Sequence, residues 1–512
     1  MQSRRRFLSS LSAGAISLAG GASWGGKAAA ANDSSATLAW PLDVTGWDPS
    51  ANSSPATLAI HKCVFDTPLE ISTDFKLSPG VASSYRWLDK DGKTLELVIR
   101  EGIKFHNGDL LTADDFRFTF YDRPKADRTL NISGTFGNIV SDVEVASPHK
   151  VIFHFNESYL EGAPLLATTT PYILPRRYFE QVGRDGFVAK PVGSGPYRLI
   201  DYQRNTLISL EAFPDYWRGA ANIKRVSFRI VPDVSARVAA VQSGQVDYAD
   251  NIPVREVNRL GALPNLVGQL PPTTVSVLIH MVNKGIYQDR NLRLAMHHAI
   301  DKEALSKAFY GAKAIPQMMY AAKGLPGNDP TFSFPYDRAK ARALLAQSGY
   351  GPDNPIKIQF GTLNGNFTGD FDVARALVQM WKQVGIDAEL KVFELAHYFE
   401  LSRNGKLEHP VLYAWSDTTG DPIMMTGLLL DPKKRYSIWK SDDIPGRLYP
   451  LLREIDEAQR LAGFRKFDSW AVEQGYEVAL LQMPATIVHN KRVKVVHRPN
   501  GWVLPYYWSM AT

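Results

Sequence analysis

A large ring followed by a run of hydrogen-bonding groups occupies residues 412–422. Leu412-Tyr413-Ala414-Trp415 reads as the end of a strand, and Ser416-Asp417-Thr418-Thr419-Gly420-Asp421-Pro422 as a turn dense in donors and acceptors. Trp415 offers a stacking face. Asp417 and Thr418 offer polar contacts at the carboxyl end of a strand, where α/β lobes hold ligands. An Asx-type turn with Trp415 in the core accounts for the same residues equally well. The chemistry of the first reading is ligand binding.

Signatures of catalysis are missing. There is no G-x-S-x-G elbow, no H-E-x-x-H and no G-x-x-x-x-G-K-[ST] phosphate loop. Pro191-Val192-Gly193-Ser194-Gly195-Pro196-Tyr197 is glycine-rich, but Pro196 removes a backbone N–H where a phosphate cradle needs donors, so a rigid turn is expected. His297 and His298 are adjacent on a helix and should point to different faces, which argues against a metal pair. Asp114-Asp115 and Asp442-Asp443 fall in helix-start or loop contexts, where capping and solvation explain paired acids. Cys63 is the one cysteine, in the apolar setting Ile60-His61-Lys62-Cys63-Val64-Phe65. It permits no internal disulfide or thiolate metal centre and reads as a small buried residue.

The elements that would position such a site alternate strand and helix. Arg225–Val231 alternates apolar and polar, Asp233 caps a helix that stops at Gly244, and Val246-Asp247-Tyr248 begins another strand. Ile356–Phe360 is a strand; its helix carries Ala374, Leu377, Val378, Trp381 and Val384 on one face and stops at Gly385; Ile386–Val392 alternates again. These βαβ units predict parallel strands covered by helices in part of each lobe. Asp289, Asp301 and Asp337 cap helices between them, with Gly311 and Gly349 as stops. From about 71 to 190 the chain is instead rich in short strands and turns, such as Thr94–Arg100 and Lys150–Phe155, and reads as an inserted subdomain.

Apolar residues at 45% and charged residues at 21% describe a globular chain, and 512 residues suggest two or three domains. Residues 1–31 read as a leader: Arg4-Arg5-Arg6-Phe7-Leu8, a short glycine-loosened apolar run from Leu11 to Ala22, and an alanine-rich end at Ala28–Ala31. That pattern predicts twin-arginine export, already folded, to the periplasm, with no cysteine at the cleavage point to carry a lipid. Arg4, Arg5, Arg6 and Lys27 belong to the leader, so most of the net charge of +6 goes with them. The near-neutral remainder gives no case for nucleic acid or an anionic membrane. Lys433-Lys434-Arg435, the densest basic run, is expected to be a solvated loop.

Further motifs are spread along the chain. They include Val64-Phe65-Asp66-Thr67-Pro68-Leu69 and Ile99-Arg100-Glu101-Gly102-Ile103-Lys104-Phe105-His106-Asn107-Gly108, with Pro191–Tyr197 beyond them. Asp215-Tyr216-Trp217, Ile230-Val231-Pro232-Asp233, Gly244-Gln245-Val246-Asp247, Ala299-Ile300-Asp301-Lys302-Glu303-Ala304 and Gly385-Ile386 follow. Together they resemble the solute-binding proteins of peptide/nickel-type ABC transporters, extracellular family 5. Most are fold-determining turns and caps, so they say little about the ligand.

The resemblance implies a large, type II-like, two-lobed periplasmic-binding-protein fold of the α/β class, with a subdomain inserted in lobe one. Lobe one would take 32–270, including the insert at 71–190, and the return at 485–512. Lobe two would take 271–484, with proline-marked crossings near Pro271-Pro272 and Met483-Pro484. It implies a non-catalytic protein without cofactor, closing on a peptide-like or other polar organic solute and docking on a membrane permease; a monomer is the default expectation. In such proteins a W-x-x-D-x-x-[DE]-P segment contacts the ligand, its Asp pairing with a peptide's α-amino group. Here Trp415 and Asp421-Pro422 keep the spacing, Thr418 stands at the Asp position, and the acid moves to Asp417. After Phe360 come Gly361-Thr362-Leu363-Asn364, without the basic residue dipeptide binders carry there. Trp415, Asp417 and Thr418 are the expected ligand contacts, with Asn283, Tyr287 and Trp47 beside them. Other readings are a free di- or oligopeptide carrier, a secreted enzyme, and a signalling protein that docks on a receptor.

Overall fold

A computed structural model describes residues 34–51, 55–168 and 171–511. The leader lies outside the described residues.

Two mixed sheets form the frame. The first has seven strands, in the order Leu266–Gln269, Ile487–Asn490, Tyr248–Ala249, Ser35–Trp40, Arg225–Ile230, Leu207–Ala212 and Tyr197–Gln203. Ser35–Trp40 runs parallel to both Arg225–Ile230 and Tyr248–Ala249. The expected strand–helix–strand unit is therefore present, with Val234–Gln242 as its helix, but a third strand lies between its two strands. The second sheet has six, in the order Ile315–Pro316, Glu477–Pro484, Pro272–His280, Val411–Ser416, Ile356–Leu363 and Ile386–Phe393. Here the βαβ unit is direct, with Ile356 in register with Ile386 and helix Asp370–Lys382 between the strands. Alternate burial of Ile356, Ile358 and Phe360 against exposed Lys357 and Gln359 matches a half-covered strand.

A separate four-stranded antiparallel sheet spans Ala82–Trp87, Thr94–Ile99, Lys150–Phe155 and Val140–Ser147. It has its own core around Leu95, Phe120, Phe136 and Phe153.

The caps fall where the sequence places them. The carboxyls of Asp233, Asp289, Asp301 and Asp337 accept from backbone N–H groups in the first turns of their helices. Gly311 closes its helix at φ 57°, a left-handed conformation that disfavours side chains.

The motifs that carry the resemblance turn out to be joints. Gly195 N–H donates to Val64 O at 2.9 Å, and Nε2 of His106 donates to Gly195 O at 3.0 Å. Burial pulls the His106 imidazole down to about 4, which keeps it neutral for this role. A Cβ on Gly193 would lie 2.0 Å from Val64 O, so the loop is a close-packed turn and no phosphate cradle. Asp66 accepts from Tyr216 Oη and Trp217 Nε1, both at 3.1 Å. Asp247 accepts from Thr37 N–H at 2.9 Å and takes both prongs of Arg492 at 2.6 Å.

Other residues land as follows. Cys63 is buried, its S–H donating to Ala59 O at 3.1 Å. Asp115 forms a capping box with Thr112. His297 and His298 do not diverge as adjacent helical residues should; both rings stack on Phe334, with centroids at 3.8 and 4.2 Å. Among the described residues no His/Cys/Asp/Glu group is arranged to hold a metal ion, and no helix is long and apolar enough to cross a membrane.

Candidate functional site

The carboxyl ends of the parallel strands in both sheets open onto one cavity of about 440 Å³. From the first sheet come Trp40 at a strand end, Tyr248, and Asp250 just past Ala249. From the second come Ser416, also at a strand end, Thr418 beyond it, and Asn366 and Phe367 after Leu363. The crossing chains supply Thr273, Val275 and Met483–Ile487, and the C-terminal return adds His497, Asn500, Trp502 and Trp508.

The crossings are tightly tied. Pro272 lies opposite Pro484 in the ladder. Ala485 N–H donates to Pro271 O at 2.8 Å, Thr273 Oγ1 to Met483 O at 2.8 Å, and Gln482 Nε2 to Thr273 O at 2.7 Å. The return segment reaches the second sheet directly: Thr274 N–H donates to Pro499 O at 3.0 Å, and Asn500 Nδ2 to Thr418 O at 3.4 Å.

Of the six residues expected to contact ligand, the cavity wall takes in Thr418 alone. Asp417 is 2% exposed, and its carboxylate accepts from the N–H groups of Thr419 and Gly420 at 3.1 and 2.8 Å. Burial pushes that carboxyl up to about 7, against the pull of the two amides. Asp417 therefore holds the Asx turn that presents Thr418. Trp415 sits edge-on to Tyr436 at 5.6 Å, on the opposite side of the strand from Ser416, and packs against the second sheet's core. Asn283 donates to Lys440 O at 2.6 Å. Tyr287 Oη donates to Gln359 O at 2.6 Å, in a groove with Lys357 and Glu389 at the amino ends of the parallel strands, away from the cavity. Trp47 is 1% exposed and packs on His61 and Tyr202 in the first lobe's core.

Sequence reasoning passed over Asp250, Trp502 and Trp508. Asp250 had a usable signal, its place just past the strand of a βαβ unit. The two tryptophans had none, since they reach the site from the far end of the chain.

The wall is aromatic and weakly charged. Tyr248 and Trp508 pack at 5.0 Å between centroids. Trp502 is 7% exposed, with the Lys62 ammonium 4.9 Å from its ring centroid on the buried side. Burial pushes the Asp250 carboxyl up to about 6. His497 lies with Nε2 3.3 Å from Pro272 O, and burial lowers its pKa. Such a cavity can enclose a small organic solute between stacking faces, with a few hydroxyl, amide and carboxyl groups to orient it.

Comparisons with known proteins agree with the architecture. The family model described as Bacterial extracellular solute-binding proteins, family 5 Middle, matches residues 76–437. The Dipeptide-binding protein of Escherichia coli is 26% identical over 448 residues, 81% of each chain. The Glutathione-binding protein GsiB of Salmonella paratyphi A is 26% identical over 474 residues, 90% of each chain. Among solved structures, the ABC transporter substrate binding protein CtaP of Listeria monocytogenes aligns with a TM-score of 0.82 at 21% identity, covering 93% of this chain and 99% of that one. The last likeness speaks for the fold alone.

Proposed function

The chain belongs to the bacterial extracellular solute-binding proteins of family 5, and from that premise we propose that it takes a peptide-like or other polar organic solute into the cavity between Trp502 and Thr418. It is the substrate-binding component of an ABC importer, handing its solute to a membrane permease. The named relatives bind dipeptides and glutathione, which sets the size and polarity of solute to look for first.

The observation that carries this reading is the position of the cavity. It lies between the carboxyl edges of two sheets, bridged by paired crossings at Pro272 and Pro484. Residues 32–270 with 485–512 form one lobe in this reading, 71–190 its inserted subdomain, and 271–484 the other lobe. Flexing at the crossings closes the lobes over the solute. The protein works in the periplasm as a monomer, exported by the twin-arginine route through residues 1–31, and it catalyses nothing and binds no nucleic acid.

Mass spectrometry of small molecules released from the purified protein tests this. A stoichiometric peptide-like or polar organic species is expected. Thr418→Trp, which fills the cavity, should abolish its retention in a protein that still folds. Retention of the species by that variant would place the site elsewhere.

A further inference from the structure

We propose that Asp250 sets the specificity of the cleft and that the solute is an organic cation: an amine that carries no free carboxylate. This rests on the cavity being the solute site. The cavity wall holds one carboxylate, Asp250, and neither lysine nor arginine. Asp250 follows the strand Tyr248–Ala249, which runs parallel to Ser35–Trp40, so it stands at the sheet's carboxyl edge facing the second lobe.

Its side chain is short of partners. Asn251 Nδ2 donates to Oδ1 at 3.3 Å, and Asp250 forms no ion pair among the described residues. The nearest guanidinium, Arg237, is engaged elsewhere. It donates to four backbone carbonyls, those of Val231, Pro232, Asp250 and Asn251, at 2.8–3.3 Å. Arg237 thus fixes the loop and makes no contact ion pair with the carboxylate, on which it acts by charge alone. A half-buried acid whose one nearby cation, Arg237, acts through space without pairing with it is still costly, because burial outweighs that charge, and a ligand ammonium in contact relieves it. Tyr248, Trp502 and Trp508 line the same cavity, and aromatic faces attract cations. A ligand carboxylate meets the reverse: repulsion from Asp250, no lysine or arginine, and a His497 whose charged form burial disfavours.

Calorimetry on the folded chain with three probes of one scaffold decides it: Ala-Phe-amide, a cation; Ala-Phe, a zwitterion; and N-acetyl-Ala-Phe-amide, neutral. The cationic probe should bind at least tenfold tighter than the other two. Asp250→Asn should cut its affinity tenfold or more and leave the neutral probe unchanged. Burial holds the empty-site carboxyl at about 6, so the cation's affinity should rise between pH 5 and 7. Arg237 and the Tyr248 hydroxyl stay in one protonation state there, while His497 in the same cavity, whose charged form burial disfavours, would repel the cation if protonated at the acid end; Asp250→Asn should therefore remove the part of the rise that belongs to Asp250. Failure of the cationic probe to bind, or to bind tighter than the zwitterion, overturns the proposal, as does an unaltered Asp250→Asn. If Asp250→Asn does not fold, selectivity of the unaltered chain among the three probes decides alone. Thr418→Trp separates the two readings: if it blocks binding while Asp250→Asn does nothing, only the cation site falls, and if it leaves binding intact, the cleft itself is wrong.

Discussion

The ammonium of Lys434 lies 2.8 Å from Oε1 of Glu161, joining two stretches 273 residues apart in the sequence. Lys434 was expected in a solvated basic run. Instead its side chain is 28% exposed and that of Glu161 only 9%. Burial raises the Glu161 pKa while Lys434 opposes the shift. The pair ties the loop after Asp431 to the segment before helix Gly162–Leu165, so it should favour the arrangement in which these two stretches touch. A double-mutant cycle with Glu161→Gln and Lys434→Met should give a coupling of about 1–2 kcal/mol in ligand binding, above the usual value for exposed pairs. Small-angle scattering of either single variant should show a larger radius of gyration. Coupling near zero would mean that the pair is decoration.

Two tryptophans separate the sequence's expectation from the structure's. Trp502→Ala removes a buried ring that lines the cavity and should weaken solute binding by about 1–3 kcal/mol in addition to lowering the melting temperature. Trp415→Ala removes a ring packed on Tyr436 and the second lobe's core, so its main effect should be on stability. Measuring both affinities and both melting curves tests the assignment. A larger affinity loss for Trp415→Ala would restore it to the site.

Much of the frame was legible because it is written in local chemistry. Aspartate caps, the strand–helix–strand periodicity at Ile356–Phe393 and the proline-marked crossings all act over a few residues. The site was less legible because it is assembled from ends. Trp40, Asp250, Thr418 and Trp502 come from four separate stretches, and no short pattern joins them. Asp417 shows the limit clearly: the same acid suits a ligand contact or an Asx turn, and only the positions of the Thr419 and Gly420 amides decide between them.

Asp468 should make stability fall as pH rises. Its side chain is fully buried, and burial, aided by the nearby Glu477, pushes its carboxyl from 3.8 up to about 8. The folded state therefore holds a proton that the unfolded chain gives up near pH 4. Stability from this group is full below pH 4 and is lost as pH climbs toward 8, by up to about 1.4 kcal/mol per pH unit. Asp468→Asn cannot titrate. Its stability relative to the unaltered protein should grow across pH 4–8 and level off above. Parallel melting-temperature profiles for the two would show that Asp468 is charged in the fold.

Gly193 should tolerate no side chain. The added methyl of Gly193→Ala would meet Val64 O at 2.0 Å and the Phe65 ring at 2.7 Å, and the first of these is backbone that cannot rotate away. That backbone ends the helix Pro55–Val64, and Val64 O also accepts from Gly195 N–H. Relief of the clash must therefore break the joint linking the helix end, the glycine turn and His106. A loss of about 2–4 kcal/mol is expected, as for an overpacked site with a lost hydrogen bond. Gly46→Ala, in a loop, is the control, because a Cβ there meets nothing within 4 Å. Denaturant unfolding of both separates crowding from a general dislike of alanine in loops: equal, small losses would show that the turn at Gly193 is looser than its packing, and that the motif around it is held for a reason other than the joint with Val64.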